Sequence, residues 1–205
     1  MASERVAKTA ERILDVAEHL VQVRGFNAFS YADVSKAVGI QKASLHHHFA
    51  TKTDLGVALI DRYKQVFVAA LHAIESSDQN AVERLERYIE LYRTVLRRGR
   101  MCMCGMLAAD VETLPEPMRE RVAEFFAENE AWLTRILAAG AERGELQFTG
   151  SATAMAAFLV SSLEGAMLIS RGRGDLEHLD EVAELLLANV RATPGSQRRK
   201  LKESA

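Results

Sequence analysis

The sequence predicts an all-α protein. Apolar residues recur at three- and four-residue spacing along most of the 205 residues, and only three residues are proline. Glycine and short polar residues fall between the periodic stretches, where helices start and stop. About nine helices are expected, in two packed units at residues 1–52 and 53–193. A polar, basic segment at 194–205 (PGSQRRKLKESA, from Pro194) reads as a disordered tail.

The first helix is expected over residues 9–24, with Ile13, Leu14, Ala17, Leu20 and Val21 forming one apolar stripe. Arg24 and Gly25 end it, a cation at the negative helix pole followed by a glycine cap. Phe26 and Phe29 then drop into a small core. Lys8 or Thr9 would reach a phosphate, or simply stay solvated.

Residues 30–52 read SYADVSKAVGIQKASLHHHFATK. Ser30 and Asp33 make a short capping box that opens a helix carrying Ala32, Val34, Ala37 and Val38. Gly39 suits the turn that follows, and Ile40 plugs its corner. A second, short helix runs from about Gln41 to His48. Its Leu45 and Phe49 face the first helix, and its other face shows Lys42, Ser44, His46 and His47. Hydrogen-bonding side chains with few fixed charges suit a helix lying in a DNA major groove.

Thr51 and Asp54 cap a long helix that continues to about Ser76, with Lys52 at its N-terminus, where backbone N–H groups suit a phosphate. Ser76 to Asn80 closes it. The next helix buries Val82, Leu85, Tyr88, Ile89, Tyr92, Val95 and Leu96, and ends at Arg97, Arg98 and Gly99. A thiol- and thioether-rich run follows at 101–109. Two prolines at 115 and 117 break the chain before an amphipathic helix at about 116–143. Residues 151–170 are the least polar helix, rich in small residues that permit close approach of a neighbour. The last helix covers about 176–192.

Composition narrows the class. Apolar residues make up 48%, and no run of 18 apolar residues occurs, so no membrane span is expected. The charged N-terminus lacks the core of a secretory signal. Cys102 and Cys104 do not make a disulfide framework. A cytoplasmic protein fits. The net charge is −2, but residues 1–52 hold seven Lys/Arg against five acids, and the remainder 19 against 23. The slight basic excess sits with the helix-turn-helix.

Residues 9–59, TAERILDVAEHLVQVRGFNAFSYADVSKAVGIQKASLHHHFATKTDLGVAL, resemble the N-terminal DNA-binding domain of the TetR/AcrR family of bacterial transcriptional regulators. The ILDVAEHL helix, the RGF turn, the VGI turn and the run from Ser44 to Leu55 carry the resemblance. It implies a three-helix helix-turn-helix domain followed by a larger helical ligand-binding and dimerisation domain. It also implies a homodimer joined through the last two long helices, a palindromic double-stranded DNA operator, and release by an effector. The helix starting near Thr51 joins the two domains in that family, so a shift at its far end would re-aim the DNA-reading end. By the same resemblance, DNA contact falls on Ser30, Tyr31, Lys42, Ala43, Ser44, His46, His47 and Lys52. Lys42 would read guanine or hold a phosphate, and Lys52 would clamp one. His46 stands where the family usually has tyrosine. A histidine that meets phosphate would bind more tightly as pH falls.

Three consecutive histidines, His46 to His48, point about 100° apart on a helix and cannot converge on one metal. His48 is expected to face inward with a hydrogen bond. Cys102 and Cys104 read either as inert core or as a sensor of electrophiles and oxidants, with Arg97, Arg98 and Arg100 placed to lower a thiol pKa. A small apolar or electrophilic effector would be lined by Tyr88, Tyr92, Met106, Phe125, Trp132, Met155 and Phe158. Glu164 would be a polar handle for it or a bond across a dimer. No nucleophile–base pair, metal triad or phosphate loop is visible, so neither catalysis nor a cofactor is expected. The rival reading is a helical ligand-binding protein whose helix-turn-helix does not bind DNA.

Overall fold

A computed structural model describes residues 2–77 and 79–192; the expected tail at 194–205 lies outside them. Nine α-helices occur among the described residues: α1 (Ala2–Arg24), α2 (Tyr31–Val38), α3 (Lys42–His48), α4 (Lys52–Glu75), α5 (Ala81–Arg97), α6 (Met103–Ala109), α7 (Glu116–Glu142), α8 (Ala152–Arg173) and α9 (Glu177–Val190). Two single 3-10 turns, Phe26–Ala28 and Val111–Thr113, complete them. The expected caps form: Asp33 N–H to Ser30 before α2, Asp54 N–H to Thr51 before α4, and left-handed Gly39 after α2.

One helix starts earlier than its pattern announced. α1 begins at Ala2, although its apolar stripe starts at Ile13. Residues 4–8 are exposed on all sides, so they carry no periodic signal. A Glu4–Lys8 pair at 3.0 Å supports this turn, though an exposed pair of this kind contributes only about 0.3–0.5 kcal/mol.

The chain forms two compact units. Of the described residues, the first comprises 2–68 together with Gly99–Phe126; the second comprises 69–77, 79–98 and 127–192. α1 packs on α2 and α6, and α2 packs on α3. The core of the first unit is Ile13, Ala17 and Val21 of α1, Val34 and Val38 of α2, Leu45 of α3, Leu55, Leu59 and Ile60 of α4, and Met118 and Val122 of α7. Arg62 of α4 reaches two acids one turn apart on α1, Asp15 at 2.7 Å and Glu18 at 2.6 Å.

In the second unit α5, α8 and α9 pack on one another. Arg93 on α5 donates to Asp180 on α9 at 2.5 Å. A single antiparallel bridge, Leu146 to Arg191, holds the chain after α7 beside the end of α9. Tyr88, Tyr92 and Asn129 close a buried ring of three hydrogen bonds at 3.0, 3.0 and 3.3 Å. Trp132 stacks on Tyr88 and donates its indole N–H to Glu75 at 3.0 Å.

α8 alters the expectation about membrane spans. By length and composition it is apolar enough to cross a bilayer, a test that core helices also pass. Only 33% of its most apolar stretch is buried. Phe158, Leu168 and Ile169 on α8 and Leu185 on α9 are exposed. Gly165 and Gly172 on α8 have open space where a Cβ would point.

Gly140 in α7 is a close-approach glycine. A Cβ there would lie 2.6 Å from the Ala81 Cβ and 2.6 Å from Leu146 Cδ1. The Ala81 methyl has no rotamer by which to yield. Gly140→Ala is therefore expected to destabilise by about 1–3 kcal/mol, despite the roughly 1 kcal/mol that alanine gains as a helix former. Urea denaturation checks this; a stabilised variant would refute the tight seat.

Candidate nucleic-acid interface

Helix α3 has seven residues, too few to be stable alone, so its neighbours must hold it. Leu45 is its keel and is fully buried. Lys42, Ala43, His46 and His47 are exposed around it, with Ser44 half-buried. This is the arrangement expected of a reading helix: one apolar anchor and a polar outer face. Phe49 N–H donates to the Leu45 carbonyl and closes the C-terminus at 2.9 Å.

Four polar side chains fix the surroundings of α3, and three were expected to meet DNA. Tyr31 is buried, and its hydroxyl lies 2.9 Å from the Phe49 carbonyl and 2.5 Å from that of Thr51. Burial, with the nearby Asp54 charge, pushes this phenol up to about 12. Tyr31 thus pins the chain between α3 and α4 instead of offering its hydroxyl to a phosphate. Ser30 is exposed, but its hydroxyl already donates to Asp33 at 2.7 Å. These bonds hold the Asp33 carboxyl below its usual range.

Lys52 departs most from expectation. Its ammonium donates to the Phe26 and Phe29 carbonyls, both at 2.6 Å, and sits 4.4 Å from the centre of each ring. Desolvation lowers its pKa. The side chain expected to clamp a phosphate instead ties the turn after α1 to the start of α4. The fourth side chain, Arg12, was not anticipated. Its guanidinium donates to the Val38 carbonyl at 2.8 Å, capping the end of α2 from α1. The orphan carbonyls at a helix C-terminus were the available signal.

His46 and His47 lie on the outer face as expected. His46 Nδ1 is 3.0 Å from the Ala50 carbonyl, and its ring lies against Tyr31 at 4.7 Å. His48 is half-buried with its ring edge-on to His47 at 6.0 Å. The inward hydrogen bond expected of it is not among the contacts of the described residues. Groups of three or more potential metal ligands are likewise not found among the described residues.

Cys102 and Cys104 are buried in the first unit and form no disulfide. Cys102 caps α6: its sulfur accepts from Gly105 N–H at 3.5 Å and from the Tyr63 hydroxyl at 3.7 Å. Burial foremost, then the two cysteines, raises the Tyr63 pKa well above the ordinary value. Arg97, expected to lower a thiol pKa, is drawn to Glu90 at 2.8 Å.

The expected effector-lining residues do not share one unit. Met106 and Phe125 belong to the first, while Tyr88, Tyr92, Trp132, Met155 and Phe158 belong to the second. Phe158 is 51% exposed on the open face of α8, which argues against a place in an enclosed pocket. Glu164, on the same helix, is half-buried.

Residues 13–59 match the model for bacterial regulatory proteins of the tetR family, and residues 81–186 match that for the tetracyclin repressor-like C-terminal domain. A TetR-family transcriptional regulator from Agrobacterium tumefaciens superposes with a TM-score of 0.89 at 34% identity, over 91% of this chain and 100% of that one. An HTH-type transcriptional regulator of Mycobacterium tuberculosis is 31% identical over 88% of this chain and 95% of its own length. The HTH-type transcriptional repressor NemR of Escherichia coli is 28% identical over 91% of this chain and 95% of its own. The crystal structure of NemR in its reduced form superposes with a TM-score of 0.78 at 26% identity, over 91% of this chain and 99% of that one.

Two outcomes follow from the inward-turned side chains. Tyr31→Phe is expected to cost about 1–3 kcal/mol, because the Phe49 and Thr51 carbonyls lose the one hydroxyl proton they share. The wild-type contribution is complete below the ordinary phenol pKa of about 10 and is lost as pH rises through about 12, since only the unfolded chain ionises in between. Thermal unfolding from pH 9 upward reads it, with Tyr31→Phe as the less alkali-sensitive reference. Lys52→Met is expected to destabilise by about 1–3 kcal/mol. It should leave the salt slope of DNA binding unchanged, whereas Lys42→Gln lowers that slope by roughly 0.9 for each phosphate no longer neutralised. A slope reduced in Lys52→Met would return Lys52 to the phosphate.

Proposed function

Because the chain belongs to the TetR family of bacterial transcriptional regulators, we propose that it is a repressor that binds a palindromic operator as a homodimer and is released when a thiol of its effector-binding domain is modified. The observation that carries the DNA-binding half is the exposed face of α3, Lys42, Ala43, His46 and His47, mounted on buried Leu45. Residues 1–52 are its DNA-binding domain and 53–193 its effector-binding and dimerisation domain. The protein works in the cytoplasm, where the operator is.

The apolar stripe left open on α8 and α9 supports the dimer. Phe158, Leu168, Ile169 and Leu185 would be covered by the same residues of a second copy, and Gly165 and Gly172 allow the helices to approach closely. Two α3 helices would then meet successive major grooves about 34–36 Å apart.

Release is assigned to Cys102, the better placed of the two cysteines. Its helix packs on α1, and Met101 N–H donates to the Gln22 carbonyl of α1 at 3.2 Å. Asn27, in the turn after α1, donates to Thr113 at 2.7 Å. α1 in turn caps α2 through Arg12. A group added to the Cys102 sulfur would compete with its bonds from Tyr63 and Gly105, so the start of α6 that Cys102 caps would shift and disturb α1. An α,β-unsaturated aldehyde would bond to the sulfur at its β-carbon, with the thiol proton ending on the α-carbon. The Escherichia coli NemR structure, described as a reduced form, is consistent with thiol chemistry in a related fold. The remaining candidate effector is a small apolar molecule bound without a covalent bond.

A mobility shift on the DNA flanking the gene, with and without diamide or a reactive aldehyde, tests this reading. Binding is expected to be lost on treatment and retained in Cys102→Ser. Binding indifferent to treatment would remove the thiol switch and leave the non-covalent effector. Absence of binding to any duplex at low salt would favour a ligand-binding protein that does not use its helix-turn-helix. Leu168→Glu is expected to convert the dimer to a monomer by size exclusion and to weaken DNA binding at least about tenfold, through loss of the second half-site. A wild-type monomer at micromolar concentration would sink the dimer.

A further inference from the structure

We infer that His46 contacts DNA only as the imidazolium, through Nε2–H to a phosphate oxygen, so that operator binding weakens as pH rises. The inference rests on the DNA-binding reading above. His46 Nδ1 lies 3.0 Å from the Ala50 carbonyl. A carbonyl only accepts, so Nδ1 carries the hydrogen, and in the neutral ring Nε2 carries a lone pair.

Flipping the ring over would put Cδ2 in place of Nδ1 and give up the bond to Ala50. The ring lies against the Tyr31 ring at 4.7 Å with 54° between the planes. Tyr31 is itself held by the carbonyls of Phe49 and Thr51 on either side of Ala50. One set of bonds therefore fixes the histidine, its tautomer and the segment that anchors it. A phosphate oxygen offers only lone pairs. Facing neutral Nε2 it meets another lone pair; facing the imidazolium it meets a charged donor.

The alternative use of a neutral Nε2 is to accept from an adenine or cytosine amino group in the major groove. Position argues against it. Residues near the N-terminus of a reading helix reach base edges, and His46 lies in the last turn of α3. The charge inventory argues the same way. Lys52 and Arg12 are turned onto carbonyls inside the unit, so the outer face has few fixed cations near His46. The ionisable groups around it are Lys42 one turn earlier on α3, His47 and His48 beside it, Tyr31 from α2, and Asp54 in the first turn of α4, which acts on the Tyr31 hydroxyl.

The sign follows from linkage. A phosphate favours the imidazolium, so bound His46 holds its proton more tightly than unbound His46. The gain in affinity is therefore largest at low pH and falls as pH rises. Fluorescence anisotropy on a labelled duplex from the DNA flanking the gene, from pH 5.5 to 8.5 at constant ionic strength, reads it. Wild-type affinity is expected to fall at least about tenfold between pH 6 and pH 8. His46→Gln is expected to be weak with most of the slope gone, and His46→Arg tight and nearly independent of pH. His47→Gln is expected to keep the slope, whatever it does to affinity. Wild-type binding that ignores pH, strengthens as pH rises, or keeps its slope in His46→Gln would overturn the inference. No binding at any pH at low salt would instead overturn the DNA-binding reading on which it stands.

Discussion

A seven-residue helix cannot hold itself, and that constraint organises the DNA-reading unit. Nucleating a helix fixes several residues before any reward arrives, so α3 borrows its order from α1, α2 and α4. Leu45 supplies the apolar anchor, a contribution of about 1.5–3 kcal/mol for a fully buried leucine. The Tyr31 hydroxyl pins the chain that leaves α3, and Arg12 closes the end of α2 that feeds it. Lys52 ties the turn after α1 to the start of α4. Each of these side chains satisfies backbone carbonyls that a helix end or tight turn leaves without partners. The polar residues closest to the reading helix are thus largely committed to building it.

That commitment explains what could be read from the sequence. Helix existence was legible because apolar spacing reports burial directly, as at Ile13, Ala17 and Val21. Caps were legible because they are local: Ser30 with Asp33, Thr51 with Asp54, and Gly39 at a left-handed turn. The first two turns of α1 were not, because residues exposed on all sides have no periodicity to report. Side-chain destinations were legible only where the partner lies within a few residues. Lys52 reaches carbonyls 23 and 26 residues away, and Arg12 one 26 residues away, so neither bond has a sequence signature. A lysine at a helix N-terminus looks the same whether its ammonium turns out to a phosphate or in to a carbonyl.

The candidate effector residues show a related limit. Aromatic and methionine side chains at helical spacing signal burial without saying which core they join. Tyr88 and Tyr92 bond Asn129 and Trp132 stacks on Tyr88, while Phe125 meets Tyr63 and Phe67 in the other unit. Phe158 obeys the same helical spacing and is open to solvent. The pair Cys102 and Cys104 is buried, as an inert reading requires, yet Cys102 sits where two donors point at its sulfur. Burial and chemical placement are separate properties, and sequence pattern reports only the first.

The stacking of Trp132 on Tyr88 also decides what an optical experiment sees. Trp132 is the sole indole in the chain, 3% exposed, with its N–H fixed on Glu75. Intrinsic emission excited at the red edge of the aromatic band therefore reports the second unit alone, and the DNA-reading unit is dark to it. Ellipticity, in contrast, averages over helices of both. Superposition of the two signals in a melt would mean that the units lose structure together, and separation would mean that they do not. A chain that places its one tryptophan in a single unit thus carries a built-in reporter of whether its halves share one cooperative transition.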